Sequence, residues 1–104
     1  MWTARLDEYT LLYESIMKIS YTDEFCHEFK RLPNKVQTMF RKQEDLFKKD
    51  NRDPRLHTKK LSGDPTTFSF RITSSYRALF YLQTDSKIIF LTIGHRKDVY
   101  RKNN

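Results

Sequence analysis

The chain has 104 residues, a length at which one hydrophobic core forms, and its 38% hydrophobic content is enough to build that core. Its 20 Lys and Arg outnumber its 13 Asp and Glu, and the net charge of +7 attracts polyanions such as RNA, DNA or an acidic protein. The lone Cys26 excludes an internal disulfide and a cysteine-built zinc site, and no apolar run reaches the roughly 20 residues that cross a bilayer. We therefore expect one soluble, cytoplasmic domain.

Two segments in the first half of the chain have the spacing of amphipathic helices. Residues 22–32 have apolar side chains at helical spacing, and either Thr22 or Asp23 is suited to cap the start of this helix. Pro33 suits the first turn of a second helix, which the turn-forming residues 51–54 end. The apolar stripes of the two helices comprise Phe25, Phe29 and Leu32 in the first and Val36, Met39, Phe40, Leu46 and Phe47 in the second. The pattern predicts a helical hairpin.

The second half of the chain has the patterns of β-strands. Residues 68–73 alternate between apolar and polar side chains, and residues 76–82 follow a short turn, so the two segments should pair as a hairpin. Residues 87–93 are apolar on both faces, which is typical of an interior strand. Residues 17–21 predict a further strand before the helices. The chain is therefore predicted to be one α+β unit.

The N-terminal residues 1–16 fit two periods at once, that of a strand and that of a helix. We interpret them as an extension of uncertain structure that precedes a domain over residues 17–101. Cys26 falls in the first predicted helix, where we expect it to be a small buried apolar residue.

Polar side chains follow the last predicted strand, directly after Gly94. Cleavage of RNA without a metal needs a base for the 2′-hydroxyl, cations for the phosphorane-like transition state and an acid for the leaving oxygen. Histidine, arginine and tyrosine supply these groups. The candidate catalytic residues are Arg77, Arg96, Tyr100 and His95, and the candidate RNA-binding residues are Arg71, Lys59, Lys60, His57, Lys97 and Arg101.

The orientation of the two strand arginines stays open at this point. A hairpin loop of two residues would pair Ile72 with Arg77, whereas a loop of three residues inverts the facing. Arg77 also has a structural alternative, because an arginine in an apolar strand can form an ion pair with a carboxylate on a helix. Arg71 lies on a solvated face in a simple alternating strand.

Three short segments occur in a fixed order: LHTKKLSG at 56–63, FRITSSYRALFY at 70–81 and IGHRKDVYR at 93–101. Together with the preceding helix pair they resemble the RelE/ParE toxin superfamily over residues 17–101. The resemblance implies a helical hairpin packed on a twisted antiparallel sheet, in β-α-α-β-β-β order. It also implies the toxin of a toxin-antitoxin pair, and RelE-like members cut mRNA in the ribosomal A site.

The resemblance assigns roles to individual positions. Arg77 matches the strand arginine that contacts the scissile phosphate, Arg96 matches the arginine after the last strand, and Tyr100 matches the tyrosine that stacks on the substrate. His95 lies where relatives carry a basic residue. The chain departs from YoeB-like toxins, because their loop glutamate is replaced near Arg55 and their terminal His-Tyr pair is absent. The general base is therefore not identified.

The expected function is that of a metal-independent endoribonuclease that cleaves mRNA on the ribosome and needs no cofactor. Its expected partners are a cognate antitoxin protein, mRNA and the ribosome, with no membrane. The alternatives are a ParE-like inhibitor of DNA gyrase without nuclease activity and a degenerate toxin that only binds antitoxin or RNA. These alternatives remain because a shared fold does not fix function.

Overall fold

The structure is a computed structural model and describes residues 18–84 and 86–102, so the extension expected over residues 1–16 lies outside it. In chain order, the elements are β1 (Lys18–Tyr21), α1 (Asp23–Arg31), α2 (Asn34–Lys49), a 3₁₀ helix (Pro54–Leu56), β2 (Lys59–Lys60), β3 (Thr67–Arg71), β4 (Tyr76–Thr84), β5 (Lys87–His95) and α3 (Arg96–Lys102). No described helix is long and apolar enough to cross a membrane. The predicted α+β class and the predicted strand and helix order are confirmed, with β2 and α3 added.

The five described strands form one sheet in the order β1-β5-β4-β3-β2. Neighbouring strands are antiparallel except β1 and β5, which are parallel. The sheet is therefore mixed, which corrects the expectation of a wholly antiparallel sheet at this one pairing. The chain leaves β1 at one end of the sheet, passes through the helical hairpin and the strands β2 to β4, and enters β5 at the opposite end, so β1 and β5 run in the same direction.

The helical hairpin is fixed to the sheet and closed on itself by side-chain hydrogen bonds. Thr22 caps α1 as predicted, since its hydroxyl oxygen accepts from the N–H of Phe25 at 3.0 Å. The same hydroxyl donates to the carbonyl of Leu91 at 2.6 Å, which ties the start of α1 to β5. The amide of Gln37 on α2 donates to the carbonyls of Phe29 and Leu32 at 3.1 and 3.0 Å. These bonds satisfy the backbone where α1 ends.

The main core lies between the helical hairpin and one face of the sheet, and it is built largely from phenylalanine. We call it the aromatic core; its buried rings are Phe25, Phe40, Phe47, Phe70, Phe80 and Phe90. Their contacts are tilted or edge-to-face in most pairs, which suits the quadrupoles of the rings. Cys26 is exposed, which contradicts its predicted burial, because α1 presents the neighbouring Phe25 to the core.

The helix α3 lies on the opposite face of the sheet and was predicted only as a polar segment. Its one fully buried apolar side chain, Val99, is too little to give a helical stripe in the sequence. Val99 packs over Gly94, where an added Cβ would lie 3.3 Å from its Cγ2. Val99 and Leu79 are buried outside the aromatic core. Gly94 thus allows the helix to approach β5 closely.

The Tyr21 hydroxyl donates to the carboxylate of Glu44, which is only 4% exposed on α2. We expect Tyr21→Phe to lower the free energy of unfolding by about 1–3 kcal/mol, because it leaves a buried carboxylate without this donor. Urea denaturation at neutral pH measures the change. The double variant Tyr21→Phe/Glu44→Met should recover most of the loss, and an equal loss in both variants would contradict the explanation.

The same pair predicts how stability changes in alkali. Burial, and secondarily the hydrogen bond with Glu44, raises the pKa of Tyr21 above its ordinary value of 10.0. The folded state therefore holds this proton more tightly, and the stability that it contributes is present below pH 10 and is lost as the pH rises above it. In Tyr21→Phe this part of the alkaline decrease should be absent from urea melts.

Candidate RNA-binding and catalytic site

The register of the β3–β4 hairpin places the two strand arginines side by side. Arg71 is directly opposite Arg77, and Arg77 is opposite Gly94 on its other side. Their chain neighbours Phe70 and Ala78 belong to the aromatic core, so both arginines lie on the opposite face of the sheet, which we call the site face. The question that the sequence left open is thereby answered.

Arg77 is bound to the backbone of its own hairpin turn and not to a carboxylate. Its Nη1 donates to the carbonyls of Thr73 at 2.7 Å, Ser74 at 3.3 Å and Tyr76 at 3.0 Å. The residue is 9% exposed, and within the described residues it forms no ion pair. A largely buried guanidinium without a counter-ion attracts an anion, and its remaining donors match phosphate oxygens. The alternative of a structural ion pair does not occur in the described residues.

Tyr100 lies over the same face of the sheet. Its hydroxyl is hydrogen-bonded at 2.8 Å to the hydroxyl of Ser69, which is 1% exposed. Ser69 lies two residues before Arg71 on β3, opposite Lys59 of β2 and Leu79 of β4. Tyr100 and the two arginines therefore share the site face. No sequence pattern pointed to Ser69, because a serine in an alternating strand is expected to face solvent.

Arg96 begins α3 at the end of the sheet where Arg77 lies. Its backbone N–H donates to the carbonyl of Ser75 at 2.7 Å, in the turn whose carbonyls also accept from Arg77. The side chains of Arg96 and Lys97 are exposed. The structure therefore brings Arg77 and the start of α3 to one end of the sheet. For Arg101 the described part of the structure includes the backbone alone.

His95 lies apart from this group, contrary to the single cluster that the sequence predicted. It pairs with Tyr76, and the two rings meet edge-to-face with centroids 5.7 Å apart. Tyr76 packs against the aromatic core, so His95 lies on the helical side of the sheet. Its Nδ1 accepts from the N–H of Lys97 at 3.2 Å and so caps α3. Because side chains alternate along β5, Gly94 and not His95 shares the face of Arg77.

The two residues of β2 place one cation on each face of the sheet. Lys59 pairs with Ser69 and so belongs to the site face, whereas Lys60 pairs with Phe68 and belongs to the helical side. Both lysines are exposed. His57, also exposed, ends the 3₁₀ helix with a left-handed backbone. Within residues 18–84 and 86–102, no three His, Cys, Asp or Glu side chains are grouped in a way that could hold a metal ion.

The bond between Tyr100 and Ser69 predicts a stability effect that is separate from any effect on RNA. Tyr100→Phe leaves the buried Ser69 hydroxyl without this partner, and we expect the free energy of unfolding to fall by about 1 kcal/mol. Urea denaturation measures this. Ser69→Ala/Tyr100→Phe should be less destabilised than Tyr100→Phe alone, since neither hydroxyl remains. If the free energy of unfolding of Tyr100→Phe equals that of the wild type, this hydrogen bond does not stabilise the packing of α3 on the sheet.

Comparisons with known proteins bear on the fold. No family model and no curated protein sequence matches the chain. It is similar to a chain of the RelB-RelE antitoxin-toxin complex from Methanococcus jannaschii, with 22% identity, 77% of this chain and 93% of that one covered, and a TM-score of 0.64. A chain of the RelE-RelB complex from Pyrococcus horikoshii OT3 is 16% identical, with 78% of this chain and 96% of that one covered and a TM-score of 0.63. A chain of the E. coli DinJ-YafQ toxin-antitoxin complex is 12% identical, with 81% of this chain and 97% of that one covered and a TM-score of 0.68. The chain therefore has the fold of RelE-type toxins.

Proposed function

We propose that this protein is the toxin of a toxin-antitoxin system and a metal-independent endoribonuclease that cleaves mRNA on the ribosome, in the cytoplasm. The observation that carries the proposal is Arg77, a largely buried guanidinium that has no carboxylate partner among the described residues and shares a sheet face with Arg71 and Tyr100. Burying such a charge costs free energy unless an anion binds to it. The proposed toxin domain spans residues 17–101.

The proposed chemistry is transfer of the scissile phosphate to the neighbouring 2′-hydroxyl. Arg77 binds the phosphate and stabilises the charge that grows on its oxygens, and Arg96 adds a second guanidinium from the start of α3. Tyr100 stacks on a base or hydrogen-bonds to the substrate from the same face. His95 is left as the cap of α3, since its ring lies on the other side of the sheet.

The remaining cations hold the RNA backbone in this proposal. Arg71 and Lys59 lie on the site face, and Lys97 is exposed in the first turn of α3. The other proposed RNA contacts are Lys60, Arg101 and His57. Each phosphate contact releases counterions, so binding should weaken steeply with salt.

A cognate antitoxin is the proposed protein partner. Two of the similar structures are complexes of RelE with RelB, and another is a complex of YafQ with DinJ. The net charge of +7 favours an acidic segment that folds as it covers the basic toxin. Covering the site face would prevent RNA from reaching Arg77.

The test is cleavage of a defined mRNA on programmed ribosomes, with free mRNA and gyrase supercoiling assayed in parallel. We expect cuts within the A-site codon, products with 2′,3′-cyclic phosphate and 5′-hydroxyl ends, and no inhibition of gyrase. Arrest of DNA supercoiling with intact mRNA would instead support the gyrase inhibitor. Binding of ribosomes without any cleavage would indicate a degenerate toxin.

A further inference from the structure

The turn that precedes β2 is held in shape by its own side chains. The Asp53 carboxylate accepts from the backbone N–H of Arg55 at 2.9 Å and from its guanidinium at 2.8 Å. The side-chain bond, more than the backbone one, lowers the pKa of Asp53 to about 2. Leu56 is 0% exposed and fastens the 3₁₀ helix to the protein interior. The residue that follows, His57, is therefore presented from a defined backbone although its side chain is exposed.

A single amide fastens this turn to the end of β3. Nε2 of Gln43 on α2 donates to the carbonyl of Arg71 at 2.8 Å and also approaches the carbonyl of Arg55 at 3.4 Å. The two carbonyls therefore lie beside each other. Because Arg71 is opposite Arg77, the 3₁₀ helix lies at the end of the sheet that carries both arginines. His57 follows two residues after Arg55, at this same end.

The backbone of His57 is unusual in the described chain. With φ 48° and ψ 50° it is left-handed, and no other described non-glycine residue has a positive φ. A left-handed residue with a Cβ costs roughly 1–2 kcal/mol relative to the right-handed form. Such conformations persist where the surroundings enforce them, and they cluster at functional sites. Here the hydrogen bond from the His57 N–H to the carbonyl of Pro54, at 3.1 Å, helps to enforce it.

The other two histidines of the chain are placed away from the arginines. His27 is exposed on α1, in the layer that covers the opposite face of the sheet. His95 faces that layer too, and its Nδ1 is engaged by the N–H of Lys97. His57 combines an exposed side chain with a turn whose backbone lies beside that of Arg71. The charged residues along these elements are the cations Arg55, Lys59, Lys60 and Arg71 and the carboxylate of Asp53, which is paired with the guanidinium of Arg55.

From this placement we infer that His57 is the general base of the proposed RNA cleavage. Its imidazole takes the proton from the 2′-hydroxyl, the 2′-oxygen forms a bond to phosphorus, and the bond from phosphorus to the 5′-oxygen breaks with its electron pair. Water protonates the departing 5′-oxygen, and the imidazolium returns its proton to solvent. The cations at this end bind the phosphate and direct its ester toward the imidazole. The inference rests on the function proposed above.

The test compares His57→Asn with His27→Asn in single-turnover cleavage of a defined mRNA on programmed ribosomes. Asparagine tolerates the left-handed backbone but cannot serve as a base, so the fold should be kept. We expect His57→Asn to reduce the rate of the chemical step about 100-fold, far more than it reduces affinity for ribosomes. His27→Asn should cleave at the wild-type rate. For His57→Gly, added imidazole should restore part of the lost rate in proportion to its free-base form.

The outcomes separate this inference from the proposed function. If the wild type cleaves and His57→Asn cleaves equally fast, His57 is not the base while the ribonuclease assignment stands. A slow His57→Gly variant that imidazole does not rescue assigns His57 a structural role, and this also overturns the inference. If the wild type does not cleave mRNA at all, the proposed function fails and the inference fails with it.

Discussion

Arg77→Lys is expected to reduce the rate of mRNA cleavage by at least about 100-fold, a loss typical of removing one donor that stabilises transition-state charge. The guanidinium holds three carbonyls of the 73–76 turn with one nitrogen and has further donors for phosphate. An ammonium group has one nitrogen and cannot serve both sets of acceptors. Single-turnover cleavage on programmed ribosomes measures the loss, with binding to ribosomes measured separately.

The matched control for this experiment is Arg52→Lys, since Arg52 is exposed and lies outside the site face. It should cleave at the wild-type rate. Loss of the turn contacts also destabilises Arg77→Lys, by about 1.5–3 kcal/mol for hydrogen bonds to a charged group. The assay should therefore be run well below the unfolding midpoint of the variant. A folded Arg77→Lys with full activity would exclude a role for the guanidinium in the reaction.

Phe90→Ala should cause the largest loss of stability, about 3–5 kcal/mol in the free energy of unfolding. Phe90 is fully buried on β5, and the centroids of six other aromatic rings lie within 6.0 Å of the centroid of its ring. Truncation leaves a cavity in the middle of the aromatic core. Urea denaturation followed by circular dichroism measures the effect.

The half-buried Phe29 is the matched control, because its aromatic contacts in the described residues are with Phe25 and Phe40, and its ring borders Arg41 at the surface. Phe29→Ala should cost clearly less than Phe90→Ala. Equal losses in the two variants would mean that the aromatic core does not carry the stability that its burial implies.

The helices α1 and α2 and the strands β3, β4 and β5 could be predicted because each has an apolar pattern with its own period. Thr22 marked the start of α1 through its side-chain cap, and Pro33 marked the start of α2 through its restricted backbone, without a side-chain cap. The direction of β1 could not be predicted, because parallel and antiparallel pairing leave the same local pattern in a four-residue strand. The helix α3 was missed because Val99 is its one buried apolar side chain in the part that the structure describes through residue 100.

The sequence could predict only part of how the candidate residues are arranged. Arg77 was identified by a charge inside an apolar strand, but its partnership with Arg71 depends on the loop register. The position of His95 was wrong because the ladder of β4 and β5 shifts register next to Leu79 and Phe80. The shift inverts the alternation, so Phe90 and Ile93 both face the aromatic core. In a run that is apolar on both faces, the sequence carries no sign of this bulge.

The parallel pairing of β1 with β5 also bears on how the protein is made. Synthesis proceeds from β1 toward β5, so β1 emerges from the ribosome long before β5, its partner among the described strands. Until β5 emerges, the phenylalanines of the hairpin have no Phe90 to pack on, and α3 has no strand to dock against. We expect the nascent chain to stay without its native structure until that point.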